Sequence, residues 1–252
     1  MDVVLGLREN NFSGKIIALS PKGFSILAHK KHHQQRYILD ELSPPYTLTS
    51  LYKLFYKHVR NAHRRGESGE TVVDAVRSKT QEIWQQLSLE DKKSFMSHVR
   101  HLWGVARHRL PGDIHAFIQS LIKDEKLEVL AGRIQNIVEN DGEVHVTVKP
   151  KSGNDVKELR VSRVINCTGP QTDITRFNSP LYQSALKKNI VSPDEMRLGI
   201  HASPEGAIHS GKSSLNGKIF TIGTLLKGQL WESTAVPELR VQADRMAEML
   251  LQ

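Results

Sequence analysis

The sequence predicts an α/β protein that combines a parallel-strand unit, a helical stretch and an antiparallel β-meander, and three observations carry that reading. Residues 15–19 (KIIAL) are a short apolar run ending in Ser20-Pro21-Lys22-Gly23; with the apolar stretch before them they give the order helix, turn, strand, turn, the back half of a βαβ unit. Between residues 48 and 108 apolar side chains recur at helical spacing. From residue 127 to residue 161 the pattern alternates, broken by the hairpin signals Asn140-Asp141-Gly142 and Ser152-Gly153-Asn154.

In chain order, Val3, Val4, Leu5 and Leu7 predict a short buried helix with no capping residue ahead of it, so the sequence starts inside an element. After the strand at 15–19, residues 30–45 are a polar link ending in proline, with a dense cationic run at 30–36 (KKHHQQR). That run lacks interleaved aromatics, so it reads as a solvated loop. Three helices are predicted at 48–64, 71–87 and 89–108, the third started by Ser88 as a cap. A further helix spans 114–122, and strands follow at 127–131, 135–139, 144–148 and 159–161. Residues 163–166 (RVIN) predict another apolar strand, ending in Cys167-Thr168-Gly169-Pro170. Prolines and serines then predict loops around one short helix near 181–188.

The closing stretch predicts a buried strand at 218–222 (KIFTI), ended by Gly223, and a final helix whose first turn holds Pro237. A strand, a glycine-bearing loop and a helix N-terminus present free N–H groups and a positive dipole end to an anion or a polar ring edge. The plainer reading is an ordinary α/β unit, and both stand at this point.

The chain has 252 residues, enough for one large or two modest domains, with 38% hydrophobic and 25% charged residues. It has no apolar run of membrane-spanning length and no export signal, so the expectation is a cytoplasmic protein without a membrane partner. A formal net charge of +8 fits an anionic cofactor or simple solubility, and a nucleic-acid partner is not expected. One cysteine, Cys167, excludes an intrachain disulfide; lacking a basic neighbour to lower its pKa, it reads as buried and inert. His98 and His101 lie one helical turn apart, but with no third ligand at suitable spacing no metal is expected.

In a dinucleotide fold the end of the second strand faces the adenosine ribose. An acid there takes the 2′-hydroxyl of NAD, and a serine with a base suits the 2′-phosphate of NADP. Ser20 and Lys22 stand at that place, although the same residues also describe a turn with an exposed lysine. The small residues after Asn166 would let a ligand approach the backbone closely. No GxGxxG occurs anywhere in the chain.

The segments IIALSPKG, RHRLP, VINCTGPQTD and GTLLKGQLWESTAVPELRVQA jointly resemble a bacterial family of FAD/NAD(P)-binding proteins, with scattered similarity over nearly the whole chain and the most specific part in its last third. The resemblance implies the C-terminal part of a two-Rossmann-domain flavoprotein, laid out like flavin-dependent N-hydroxylases and a urate hydroxylase. Residues 1–170 would be a partial NAD(P)-binding domain with a helical insertion at about 46–125, and residues 171–252 the return to the FAD-binding domain. It further implies that Ser20 and Lys22 contact the NADPH phosphate and that Thr168, Gly169 and Pro170 cross back to the flavin domain. Gly223, Thr224, Glu232, Ala235 and Val236 would then form the flavin-side loop and helix start. Both glycine loops of the family would lie upstream of Met1, so weak or absent binding of FAD and NADP is expected from an N-terminally incomplete chain. The implied activity is flavin reduction by NADPH, with an unknown small-molecule substrate and no assignable catalytic residue. The alternative is a non-catalytic remnant or subunit that needs a separately encoded N-terminal half.

Overall fold

The computed structural model describes residues 1–29, 37–153 and 155–251, so the cationic run at 30–36 and Asn154 of the second predicted turn lie outside the described residues. Helices are α1 (Asp2–Glu9), α2 (Tyr37–Glu41), α3 (Leu48–Arg64), α4 (Glu70–Val76), α5 (Thr80–Gln86), α6 (Leu89–Ser94), α7 (Arg100–Arg107), α8 (Gly112–Lys123), α9 (Pro180–Lys187), α10 (Lys227–Leu230) and α11 (Val236–Leu250). Strands are β1 (Ile16–Ser20), β2 (Leu127–Asn140), β3 (Glu143–Pro150) and β4 (Lys157–Val161). The chain divides into two compact units, Met1–His32 with His101–Cys167, and His33–Arg100 with Thr168–Gln252.

The first unit is a mixed four-stranded sheet in the order β1-β2-β3-β4. β1 runs parallel to the first part of β2, from Ile16 opposite Leu127 to Ser20 opposite Ala131. Beyond Gly132, β2 pairs antiparallel with β3, and β3 with β4. The two-residue periodicity of β1 explains its place in this sheet. Ile16 and Ala18 pack with Val4, Ile118, Leu121 and Leu127 on the side of α1 and α8, whereas Ile17 and Leu19 pack with Val146, Val148 and Leu159 of the meander. A strand apolar from Ile16 to Leu19 thus has a helical layer on one face and a β layer on the other. Glu128 ties the rim together, its carboxylate 2.8 Å from Lys15 Nζ and 2.9 Å from Lys157 Nζ. Asp141 and Gly142 both take positive φ, 51° and 79°, as a tight hairpin turn requires.

The second unit is mainly helical. Thr47 and Ser50 cap α3 reciprocally, each hydroxyl accepting the other's backbone N–H at 3.1 and 3.2 Å. Ser88 accepts the Asp91 N–H at 3.0 Å, as its place before α6 predicts. Trp84 anchors the core: its indole donates to the Gly228 carbonyl at 2.8 Å, and its ring stacks on Trp231 at 5.0 Å and meets Phe95 edge-on at 5.6 Å. A second cluster joins Ile174, Val191, Ile200 and Ile208.

Six expectations are corrected. The helix predicted at 71–87 is broken by a 3-10 turn at Arg77–Lys79, and the one at 89–108 contains a π turn at Phe95–Val99. The strands predicted at 127–131 and 135–139 are one 14-residue strand whose register shifts between Ile134 and Asn136. Residues 163–166 form no strand: they are exposed, with no ladder partner among the described residues, and Cys167 is exposed rather than buried. Residues 218–222 are likewise no buried strand. They form one bridge, Phe220 to Ala207, Ile219 alone of the run packs against a core cluster among the described residues, and Ile222 is 44% exposed. In both runs β-branched composition is present, but among the described residues the run 163–166 has no ladder partner and the run 218–222 meets residues 206–208 in a single bridge, too short to extend into a strand, so tertiary pairing decides. No helix among the described residues is long and apolar enough to cross a membrane.

Candidate functional site

Ser20 and Lys22 sit in the first unit, in the turn that leaves β1. The Gly23 N–H donates to Ser20 Oγ at 3.0 Å, and Gly23 has φ +63°. A Cβ there would lie 2.6 Å from Ala131 Cβ, so only glycine brings this turn flat against β2. The Ser20 hydroxyl keeps its proton to donate, and Lys22 is exposed, with no ion-pair partner among the described residues. A serine donor and a mobile cation on a rigid turn suit a phosphate.

The remaining predicted residues belong to the second unit. Thr168, Gly169 and Pro170 are exposed, and Gly169, at φ +88°, has open space where a side chain would stand. Gly223 is buried at φ +80° and begins a 3-10 turn, Gly223–Leu226, in which Thr224 is exposed. Its N–H donates to Gln242 Oε1 at 2.8 Å, and Gln242 Nε2 donates in turn to the Ser233 carbonyl at 3.2 Å. Gly223 and α11 therefore do face each other, joined by a side chain of the protein. Ala235 caps α11 without a side-chain hydrogen bond, and Val236 is 72% exposed. The donor that a flavin would need at Gly223 is already satisfied, and Leu239 Cδ2 stands 3.2 Å from where a Cβ at Gly223 would be. The geometry there does not fit a flavin edge.

Beside this junction the same unit holds a cavity of about 550 Å³. Arg77, Gln81 and Gln85 form one wall, and Glu238, Gln242 and Arg245 of α11 form the opposite one. Glu232 lines it too: its carbonyl accepts from Gln81 Nε2 at 2.5 Å, which positions the loop rather than any chemistry. Arg77 Nη2 lies 3.1 Å from Glu238 Oε1, while Glu238 Oε2 is buried without a hydrogen-bond partner. Sequence reasoning missed Arg77, Glu238 and Gln242, because pairs that lie far apart along the chain leave no local pattern. Among the described residues no three His, Cys, Asp or Glu side chains are grouped to hold a metal.

No protein-family model matches this sequence, and no curated protein matches it either.

Proposed function

We propose that this chain is a pyridine-nucleotide-binding part of a flavin-type oxidoreductase, and that the Ser20 to Gly23 turn holds the 2′-phosphate of NADPH. One observation carries the reading: a parallel strand, layered between helices and a meander, delivers at its carboxyl end a serine donor and an exposed lysine with no ion-pair partner among the described residues, on a turn fixed by glycine. Ligands of parallel α/β sheets bind at that end of the strands. Lys22 supplies the charge that distinguishes NADPH from NADH, and Ser20 orients the phosphate. A bound flavin would accept the hydride and pass electrons onward. The resemblance alone brings it in, and no step is assigned to it at Gly223.

The closed Gly223 N–H favours a second reading, a non-catalytic subunit that needs another polypeptide to complete its cofactor sites. Calorimetric titration of the chain with NADPH separates the two. Saturable binding that a matched titration with NADH does not reproduce supports the first reading; no heat from either nucleotide leaves only the second.

A further inference from the structure

Helix α3 carries an outward face that neither the nucleotide reading nor the core accounts for. Its 17 residues contain no acid, and Leu51, His58 and Ala62 turn into the protein. At about 3.6 residues per turn, Tyr52, Lys53, Tyr56, Arg60, His63 and Arg64 fall on one arc of the other side, and all six are exposed. The two tyrosines are 62% and 60% exposed, and neither ring meets another ring or a cation among the described residues. Aromatic surface is thus left for a flat partner.

The charges on this face do not support one another. Lys53, Arg60 and Arg64 have no ion-pair partner among the described residues, whereas Lys57, at the edge of the arc, is held by Glu41 at 2.6 Å. Arg60 and Arg64 are like charges one turn apart, which weakens a helix that has no acid to offset them. The helix dipole accounts for Arg64 in the last turn, and not for Lys53 or Arg60. A face built only for solvation would alternate the two signs of charge and would not expose phenol rings. The cationic run at 30–36 lacks aromatics, but on α3 the tyrosines line one edge of the arc and the cations run beside them. Stacking surface beside a row of positive charge is what an unpaired nucleic-acid strand needs.

We propose that this face of α3 binds single-stranded nucleic acid, with bases stacked on Tyr52 and Tyr56 and phosphates along Lys53, Arg60 and Arg64. The tyrosines stand one turn apart, roughly 6 Å along the axis, about twice the rise of one stacked base. A duplex keeps its bases stacked on each other and gives the rings no face to meet. A lipid surface needs an apolar helix face to take up, and that of α3 is already buried in the protein. The proposal is independent of the nucleotide reading, because α3 and the turn after β1 lie in different units.

The test is fluorescence anisotropy of labelled oligo(dT) and oligo(rU), each about 12 nucleotides long, at low and high salt. Saturable binding that weakens as salt rises is expected, and the tighter strand tells DNA from RNA. Tyr52→Ala combined with Tyr56→Ala should cut affinity about tenfold or more, leaving the salt slope and the binding of heparin unchanged. Arg60→Gln combined with Arg64→Gln should reduce the slope of log affinity against log salt by about 1.4. All four positions are exposed, and circular dichroism checks that the helix persists. The proposal is overturned by no binding at low salt, by affinity that the tyrosine substitutions do not alter, or by an unchanged slope in the arginine variant. A duplex bound as tightly as the single strands, or tighter binding to phosphatidylserine vesicles than to either strand, would overturn it as well.

Discussion

Arg77 and Glu238, 161 positions apart in sequence, meet at 3.1 Å and join the 3-10 turn after α4 to the first turn of α11. Glu238 is the more enclosed partner, its side chain 16% exposed against 45% for Arg77. Removing the arginine therefore strands a mostly buried carboxylate. Arg77→Ala should cost about 1–3 kcal/mol, read as a lower urea midpoint, and Glu238→Gln less, because an amide can still accept from Arg77. Equal midpoints for wild type and Arg77→Ala would show that the pair is solvated.

Glycine positions divide by what surrounds them. At Gly199, with φ +149°, a Cβ would lie 2.0 Å from the Leu225 carbonyl oxygen, which accepts the Ile200 N–H. Gly199→Ala should destabilise the second unit by more than about 2 kcal/mol, through strain and clash together. Gly6, in the middle of α1, has nothing within 4 Å of an added Cβ. Gly6→Ala should raise stability by about 0.5–1 kcal/mol. Thermal melts of the two variants should move in opposite directions.

Two carboxylates bring opposite pH dependence. Hydrogen bonds and charge from Lys15 and Lys157 hold the Glu128 carboxyl below its usual 4.5, so its contribution is present above that value and is lost as pH falls through the lower folded pKa. Burial pushes Asp194 above its usual 3.8, against backbone N–H donors from Met196, Leu198 and Gly199. Folding then takes up a proton between 3.8 and the raised value, and stability from this group falls as pH rises through that window. Denaturant midpoints across the acid range should fall less steeply on acidification for Glu128→Gln than for wild type. An unchanged slope would mean that the two lysines do not hold the carboxylate in solution.

Much of the first unit was legible in the sequence, because its signals are local. KIIAL lies between two layers, Asn140-Asp141-Gly142 supplies the positive φ a tight hairpin needs, and residues 127–161 alternate as a meander must. The rest of the chain was less legible. Residues 163–166 and 218–222 have strand composition, but a strand also needs a neighbour, and composition does not say whether one is in place. Cys167 is exposed because the run ahead of it stays on the surface. At the candidate site, the resemblance placed Gly223 and the start of α11 along a flavin, and the structure joins the two through Gln242 instead. That Gln242 joins them depends on one side-chain torsion, which no periodicity records. Asp194 was missed for a similar reason: its carboxylate organises a loop by accepting the Met196 and Leu198 N–H groups, at 2.8 and 2.5 Å, without any motif.

The stacked tryptophans give a direct reporter of the second core. Trp231→Gly removes the stack on Trp84 and the edge contact with Phe95, and, having no Cβ, it also relieves the strained φ. Lost packing costs about 3 kcal/mol or more and exceeds the roughly 1–3 kcal/mol of strain that the substitution releases. The variant should melt earlier than wild type; a later melt would mean that strain outweighs packing.

The central claim rests on one cation at the end of β1, and comparing NADPH with NADH affinity in wild type and Lys22→Glu tests it most directly. The substitution lies on an exposed turn residue and should leave the fold intact. Reversing the charge should weaken NADPH by about tenfold or more and leave NADH nearly unchanged, because only NADPH carries the 2′-phosphate. Equal loss for both nucleotides, or none for either, would contradict it.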